Sequence, residues 1–160
     1  MKRRLLFLFA VFMVGASVGW GQMIPTYYKV AVGTGGDGSS AGSPIYKANL
    51  EAALSDAALS SLDSVIILLP EGEYSANAAP YSITKSSLAI IGEGDTSTVT
   101  IKSPVDIELT NGGNVSFQKV HLTAKTSTGR GVVDIKSSKT TVSFSESKIC
   151  LLYTSDAADE

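Results

Sequence analysis

Apolar residues in the second half of the chain fall in short alternating runs, and the runs recur at a fixed interval. Leu88-Ala89-Ile90-Ile91, Val115-Ser116-Phe117 and Val142-Ser143-Phe144 place Leu88, Val115 and Val142 27 residues apart, with Ile90, Phe117 and Phe144 in the same relation. Alternation with period two turns these residues to one face of each strand. A second tripeptide, Val-Asp-Ile, stands at Val105 to Ile107 and again at Val133 to Ile135, 28 residues on. A repeat of this size predicts a solenoid, in which each unit buries its apolar face only against its neighbours.

The remaining pattern fills in the elements. Tyr28 to Val32 alternates and predicts a first strand. Gly33 to Gly42, rich in glycine and short polar residues, predicts a loop; its glycines fit neither a dinucleotide fingerprint nor a phosphate loop. Ser43 and Pro44 suit an N-cap and first helical position, and Leu50, Ala53, Leu54, Ala57, Ala58 and Leu62 then share one helical face ending at Asp63-Ser64. This predicts a helix over 44–62 that covers one end of the solenoid. Val65 to Leu69 is a continuous apolar run stopped by Pro70, as in a parallel strand buried on both faces. From Ser82 onward strands are predicted at Leu88 to Ile91, Val99 to Ile101, Val105 to Leu109, Val115 to Phe117, Val120 to Leu122, Val132 to Ile135 and Thr141 to Phe144. No helical stretch separates them, which favours parallel strands wound onto one another in about four partial coils over a doubly wound sheet.

The two ends read differently from the middle. Met1-Lys2-Arg3-Arg4, the apolar run Leu5 to Val14 and the small residues through Gly21 have the zones of a secretory signal peptide, so cleavage is expected after Gly21. The apolar core is short of the roughly twenty residues a membrane span needs, so no stable span is expected after cleavage. The segment has no marked eukaryotic character, and a secreted or cell-surface location in a bacterium is the expectation. Cys150 to Glu160, by contrast, resembles the translation of a transposase adapter used in preparing DNA libraries, at all eleven positions. Ile149 is therefore expected to be the last natural residue of a truncated chain, leaving 22–149 as one domain and 150–160 as an artefact.

Between these limits ten basic and twelve acidic residues leave a net charge of about −2, with the basic residues scattered and not interleaved with aromatics. Nucleic-acid binding is not expected. The only cysteine is Cys150, so no disulfide framework contributes and stability must come from burial and backbone pairing.

The Gly-Asp-Gly-Ser-Ser turn at Gly36 to Ser40, the amphipathic helix, the apolar strand leading into Pro70-Glu71-Gly72-Glu73-Tyr74, and the β-rich coils with Ile90-Ile91-Gly92 together resemble the N-terminal part of secreted proteins of the pectin-lyase-like superfamily. The resemblance covers Tyr28 to Ile149 and implies an all-β fold, a right-handed parallel β-helix capped at its N-terminal end by the helix and open after Ile149. It is poor for activity, because the same opening precedes lyases, esterases, hydrolases and adhesins. Gly72-Glu73-Tyr74-Ser75-Ala76 lacks the final acid of the pectinesterase pattern, and the Asn-Thr-Asp, Asp-Asp and Gly-His-Gly motifs of polygalacturonase-like hydrolases do not occur. The resemblance thus implies a structural or carbohydrate-binding role with no catalytic residue in this fragment, and polysaccharide as partner. The alternative is the N-terminal portion of a polysaccharide lyase or glycoside hydrolase whose catalytic coils are missing.

Candidate chemistry is sparse. Asp106 and Glu108 share a strand face, and Asp134 is expected to be the equivalent of Asp106 one coil on. Rungs spaced about 4.8 Å apart would bring these carboxylates close enough to share a hard cation such as calcium, though Lys136 could neutralise them equally well. No other cofactor is expected. His121, the only histidine, is expected on the outer face opposite Val120 and Leu122 with no metal partner at a usable spacing. Glu93 and Asp95 flank Gly94 and read as turn residues; Arg130 reads as a loop tip. Asn114-Val115-Ser116 fits the glycosylation pattern but opens a core strand. An open last coil exposes backbone and core residues, so self-association through that end is expected.

Overall fold

The computed structural model describes residues 25–59, 64–76, 80–103, 107–110, 112–125 and 131–152. The predicted leader, and with it most of the adapter-like tail, lies outside them, as do Asp106 and Arg130. Among the described residues no helix is long and apolar enough to cross a membrane.

The chain is mostly β, and every strand pairing among the described residues is parallel. Among the described residues, thirteen strands lie at Thr26–Val30 (β1), Ile45–Lys47 (β2), Val65–Leu69 (β3), Gly72–Ser75 (β4), Tyr81–Ile83 (β5), Ser87–Gly92 (β6), Val99–Ser103 (β7), Ile107–Leu109 (β8), Gly113–Gln118 (β9), His121–Lys125 (β10), Val133–Ile135 (β11), Thr140–Ser145 (β12) and Lys148–Leu152 (β13), with one helix at Leu50–Leu59 (α1). From β3 onward the chain visits three sheets in rotation. Sheet A has the order β12-β9-β6-β3-β1-β2, sheet B β13-β10-β7-β4 and sheet C β11-β8-β5.

Inward-facing side chains stack through the rungs to make the core. In sheet A, Tyr28, Ile67, Ile90, Phe117 and Phe144 are consecutive register partners, as are Val65, Leu88, Val115 and Val142. The 27-residue spacing seen in the sequence is thus one circuit of the chain. Sheet B adds Tyr74, Ile101, Leu122 and Ile149, and sheet C adds Ile83, Leu109 and Ile135. A parallel rung has no hairpin partner, so its apolar residues must find cover from the rungs on either side. The strand at Lys148–Leu152 carries the pairing three residues past Ile149, with Cys150 opposite Thr123.

The elements before β3 differ from expectation. Pro44 does not start a helix, because Ile45–Lys47 pairs with β1 as an edge strand instead. The helix begins at Leu50, where the Asn49 side chain accepts a hydrogen bond from the Ala52 amide at 2.8 Å, the work of an N-cap. Leu50, Ala53, Leu54 and Ala57 are buried, as the helical spacing predicts; the expected end near Asp63 lies outside the described residues. Strand β1 ends at Val30 and leaves Val32 fully exposed. The glycine-rich loop is held by Asp37, whose Oδ1 accepts from the Ser39 amide at 3.0 Å and the Ser39 hydroxyl at 2.7 Å. The same hydrogen bonds lower its carboxyl to about 2, and a permanent negative charge there is further reason against a phosphate cradle.

Helix and strands are joined by a charged contact between Lys47 Nζ and Asp56 Oδ2 at 2.9 Å. The hydrogen bond from Lys47, with one from Tyr28, holds the Asp56 carboxyl below its ordinary 3.8 against the opposing effect of burial. Burial, then Asp56, pushes the Tyr28 phenol up to about 12 from 10.0. The stability due to Asp56 is present above its ordinary value and is lost as pH falls through the lowered folded-state one; that due to Tyr28 is full below 10.0 and is lost as pH rises toward 12. Melting temperature should therefore fall at both extremes. The acid limb should flatten in Asp56→Asn and the alkaline limb in Tyr28→Phe, with unchanged limbs contradicting the contact.

Candidate functional site

Outward positions of sheet C gather the carboxylates singled out by the sequence. Ser82, Glu108 and Asp134 stand in register on β5, β8 and β11. Asp134 is therefore the rung partner of Glu108, not of Asp106. The two Val-Asp-Ile tripeptides are offset by two residues, since Val133 pairs with Ile107 and Ile135 with Leu109. A two-residue slip leaves every side chain on its original face, so the hydrophobic pattern tolerates it and the outward charges alone change partner.

The space between the two carboxylates belongs to a lysine. Lys136 Nζ lies 3.5 Å from Glu108 Oε1 and is hydrogen-bonded to Asp134 Oδ2. Its pKa is raised above 10.5, first by the hydrogen bond to Asp134 and then by that residue's charge and Glu108's. Asp106 lies outside the described residues, and among those described no group of three or more His, Cys, Asp or Glu is arranged to hold a metal ion. A calcium ion would have to displace an ammonium already serving both carboxylates. Added calcium is accordingly expected to leave the melting temperature of the protein unchanged and to raise that of Lys136→Met; a calcium-dependent rise in the unsubstituted protein would show that the ion outcompetes the lysine.

The other sequence candidates are dispersed. His121 stands on β10 opposite Leu122 in facing, half-buried, with Thr100 and Lys148 as its register neighbours. Glu93 pairs with Lys29 at 2.8 Å. Asp95 supplies a turn in which its carbonyl accepts from the Thr98 amide and hydroxyl, both at 2.8 Å. Neither forms an acid/base pair with the other.

The outer face of sheet B holds a charge pair that the hydrophobic pattern missed. Glu73 on β4 is ion-paired with Lys102 on β7 and accepts from the Ser75 hydroxyl at 3.0 Å. The hydrogen bond from Lys102, followed by that from Ser75, holds the Glu73 carboxyl below the ordinary carboxylate value. Gly72–Ser75 carries too few apolar residues to read as a strand. The signal available was the Gly-Glu-Tyr-Ser alternation, with Tyr74 turned to the core and its hydroxyl donating to the Pro70 carbonyl at 2.6 Å. Protein-family models, curated proteins and solved structures offer no match to this chain.

Proposed function

We propose that the chain is the N-terminal part of a right-handed parallel β-helix in a secreted or surface protein, with a structural or carbohydrate-binding role and no catalytic centre among these coils. The observation that carries this reading is the register of the outward side chains. Glu73, Thr100, His121 and Lys148 form one ladder, and Ser82, Glu108 and Asp134 another. Rungs about 4.8 Å apart repeat polar groups along a line, a spacing that suits an extended polymer of sugar hydroxyls. The carboxylates on these ladders are ion-paired to Lys102 and Lys136. A general acid needs a carboxyl raised toward neutrality, and Glu73 is shifted the opposite way.

Electrophoresis of the full chain through gels containing neutral or acidic polysaccharides tests this reading. Retarded migration without new reducing ends or unsaturated products is expected. Release of either product would favour the lyase or hydrolase alternative.

Self-association through the last rung belongs to the same proposal. Ile135, Phe144 and Ile149 on β11, β12 and β13 are 48%, 41% and 51% exposed. Their strands have a partner on one side only among the described residues, and such an edge is a template for another chain. Concentration-dependent oligomers are expected in light scattering after a sizing column. A monodisperse monomer that unfolds cooperatively would contradict the expectation.

A further inference from the structure

A cleft of about 340 Å³ opens between α1 and β5, at the Ser82 end of the sheet C ladder. Glu51, Leu54 and Ser55 supply the helical side, three residues that share a face by their spacing. Pro80, Tyr81 and Ser82 supply the strand side, with Thr84 at the margin. Tyr81 is 3% exposed, and among the described residues no hydrogen-bond partner meets its hydroxyl. A buried hydroxyl left unpaired costs stability unless a ligand or water completes it.

We infer that this cleft binds one neutral sugar ring or a polyol of similar size. The polar lining residues are Glu51, whose carboxylate can only accept, Tyr81, whose phenol can donate, and Ser55 and Ser82, whose hydroxyls do both; Thr84 already has a partner. Leu54 and Pro80 provide an apolar patch for the C–H face of a ring. This combination of a mostly apolar floor with a few convergent polar groups is what small-molecule sites present. Burial, then the charge of Glu51, pushes the Tyr81 phenol above its ordinary range, so it stays a donor at neutral pH. Glu51 also sets selectivity: an acidic sugar would bring a second carboxylate against the first in a partly desolvated site, and like charges that close repel.

This inference rests on the carbohydrate reading above for its ligand class, and it has a separate test. Saturation-transfer NMR on the full chain would use methyl glucopyranoside, methyl galactopyranoside and galacturonate as probes. Transfer to the neutral glycosides is expected, with little to galacturonate. Tyr81→Phe, which removes one oxygen and keeps the packed ring, and Glu51→Gln should each weaken binding about tenfold, while Tyr81→Phe leaves the melting temperature unchanged or raised. Equal binding by Tyr81→Phe, or galacturonate bound as well as the neutral glycosides, would overturn the cleft. Absence of transfer to any monosaccharide while polysaccharide still retards the protein would overturn it too, and leave the broader reading standing. Loss of polysaccharide retention with the cleft still occupied would have the reverse meaning.

Discussion

Replacing Phe117 with alanine is expected to cost about 3–5 kcal/mol, the range for deleting a fully buried aromatic ring. Phe117 is completely buried on β9, the third of four rungs of sheet A that the rotation through three sheets generates. Its register partners are Ile90 on one side and Phe144 on the other. The Phe144 ring stacks on it with centroids 5.5 Å apart and planes inclined by 11°. A cavity here has little scope to collapse, because backbone pairing on both edges of β9 fixes the spacing of the neighbouring rungs. Phe144→Ala makes the comparison, since the same ring on the last rung is 41% exposed and its removal should cost clearly less. Urea denaturation of both variants measures the difference. Equal losses would mean that the two rungs are equally covered, contrary to the stacking order.

Gly113→Ala is expected to be at least as damaging, for a backbone reason. Gly113 opens β9 at φ +142°, and a Cβ there would lie 1.7 Å from the Ser86 carbonyl oxygen. That carbonyl cannot swing away without loss, because it accepts from the Asn114 amide at 2.8 Å, and the Gly113 amide donates to Lys139 at 2.9 Å. The substitution therefore sets sterics against the hydrogen bonds that join three successive coils. A loss above about 4 kcal/mol is expected, seen as failure to recover soluble, cooperatively melting protein. Gly42→Ala is the control: its Cβ would meet nothing nearer than the Ser40 hydroxyl at 3.8 Å, and near-neutral behaviour is expected. Comparable melting of the two variants would mean that the backbone does not pass Ser86 as described.

Sheet A was legible in the sequence because its strands carry large apolar residues on the inner face at one interval. Leu88, Val115 and Val142 pair as their spacing requires. Strand β3 was legible for the same reason, and Pro70 marks its end because proline cannot continue a parallel ladder. Sheets B and C were read only in part. Gly72–Ser75 and Tyr81–Ile83 are short, and each shows only one or two apolar side chains to a pattern search. The helix start was misplaced because Ser43-Pro44 satisfies the local rule for an N-terminus, while the pairing of Ile45–Lys47 with β1 is a tertiary gain that local spacing does not show. The carboxylate ladder was found with the wrong partner for a related reason. Hydrophobic periodicity specifies facing and leaves a two-residue slip unresolved. Tyr81 and Glu51 lie 30 positions apart in the chain on unlike elements, and nothing local to either residue marks the cleft they share.

The central claim is that residues 27 apart in sheet A are adjacent, parallel and in register. Electron paramagnetic resonance on nitroxide pairs at the outward positions Ala89, Ser116 and Ser143, in a Cys150→Ser background, tests it most directly. These residues are successive register partners on β6, β9 and β12. With rungs about 4.8 Å apart, the pairs 89/116 and 116/143 should both show strong dipolar broadening, and the pair 89/143, two rungs apart, distinctly less. Absence of coupling in either adjacent pair, or stronger coupling across two rungs than across one, would contradict the stacked parallel architecture on which the rest depends.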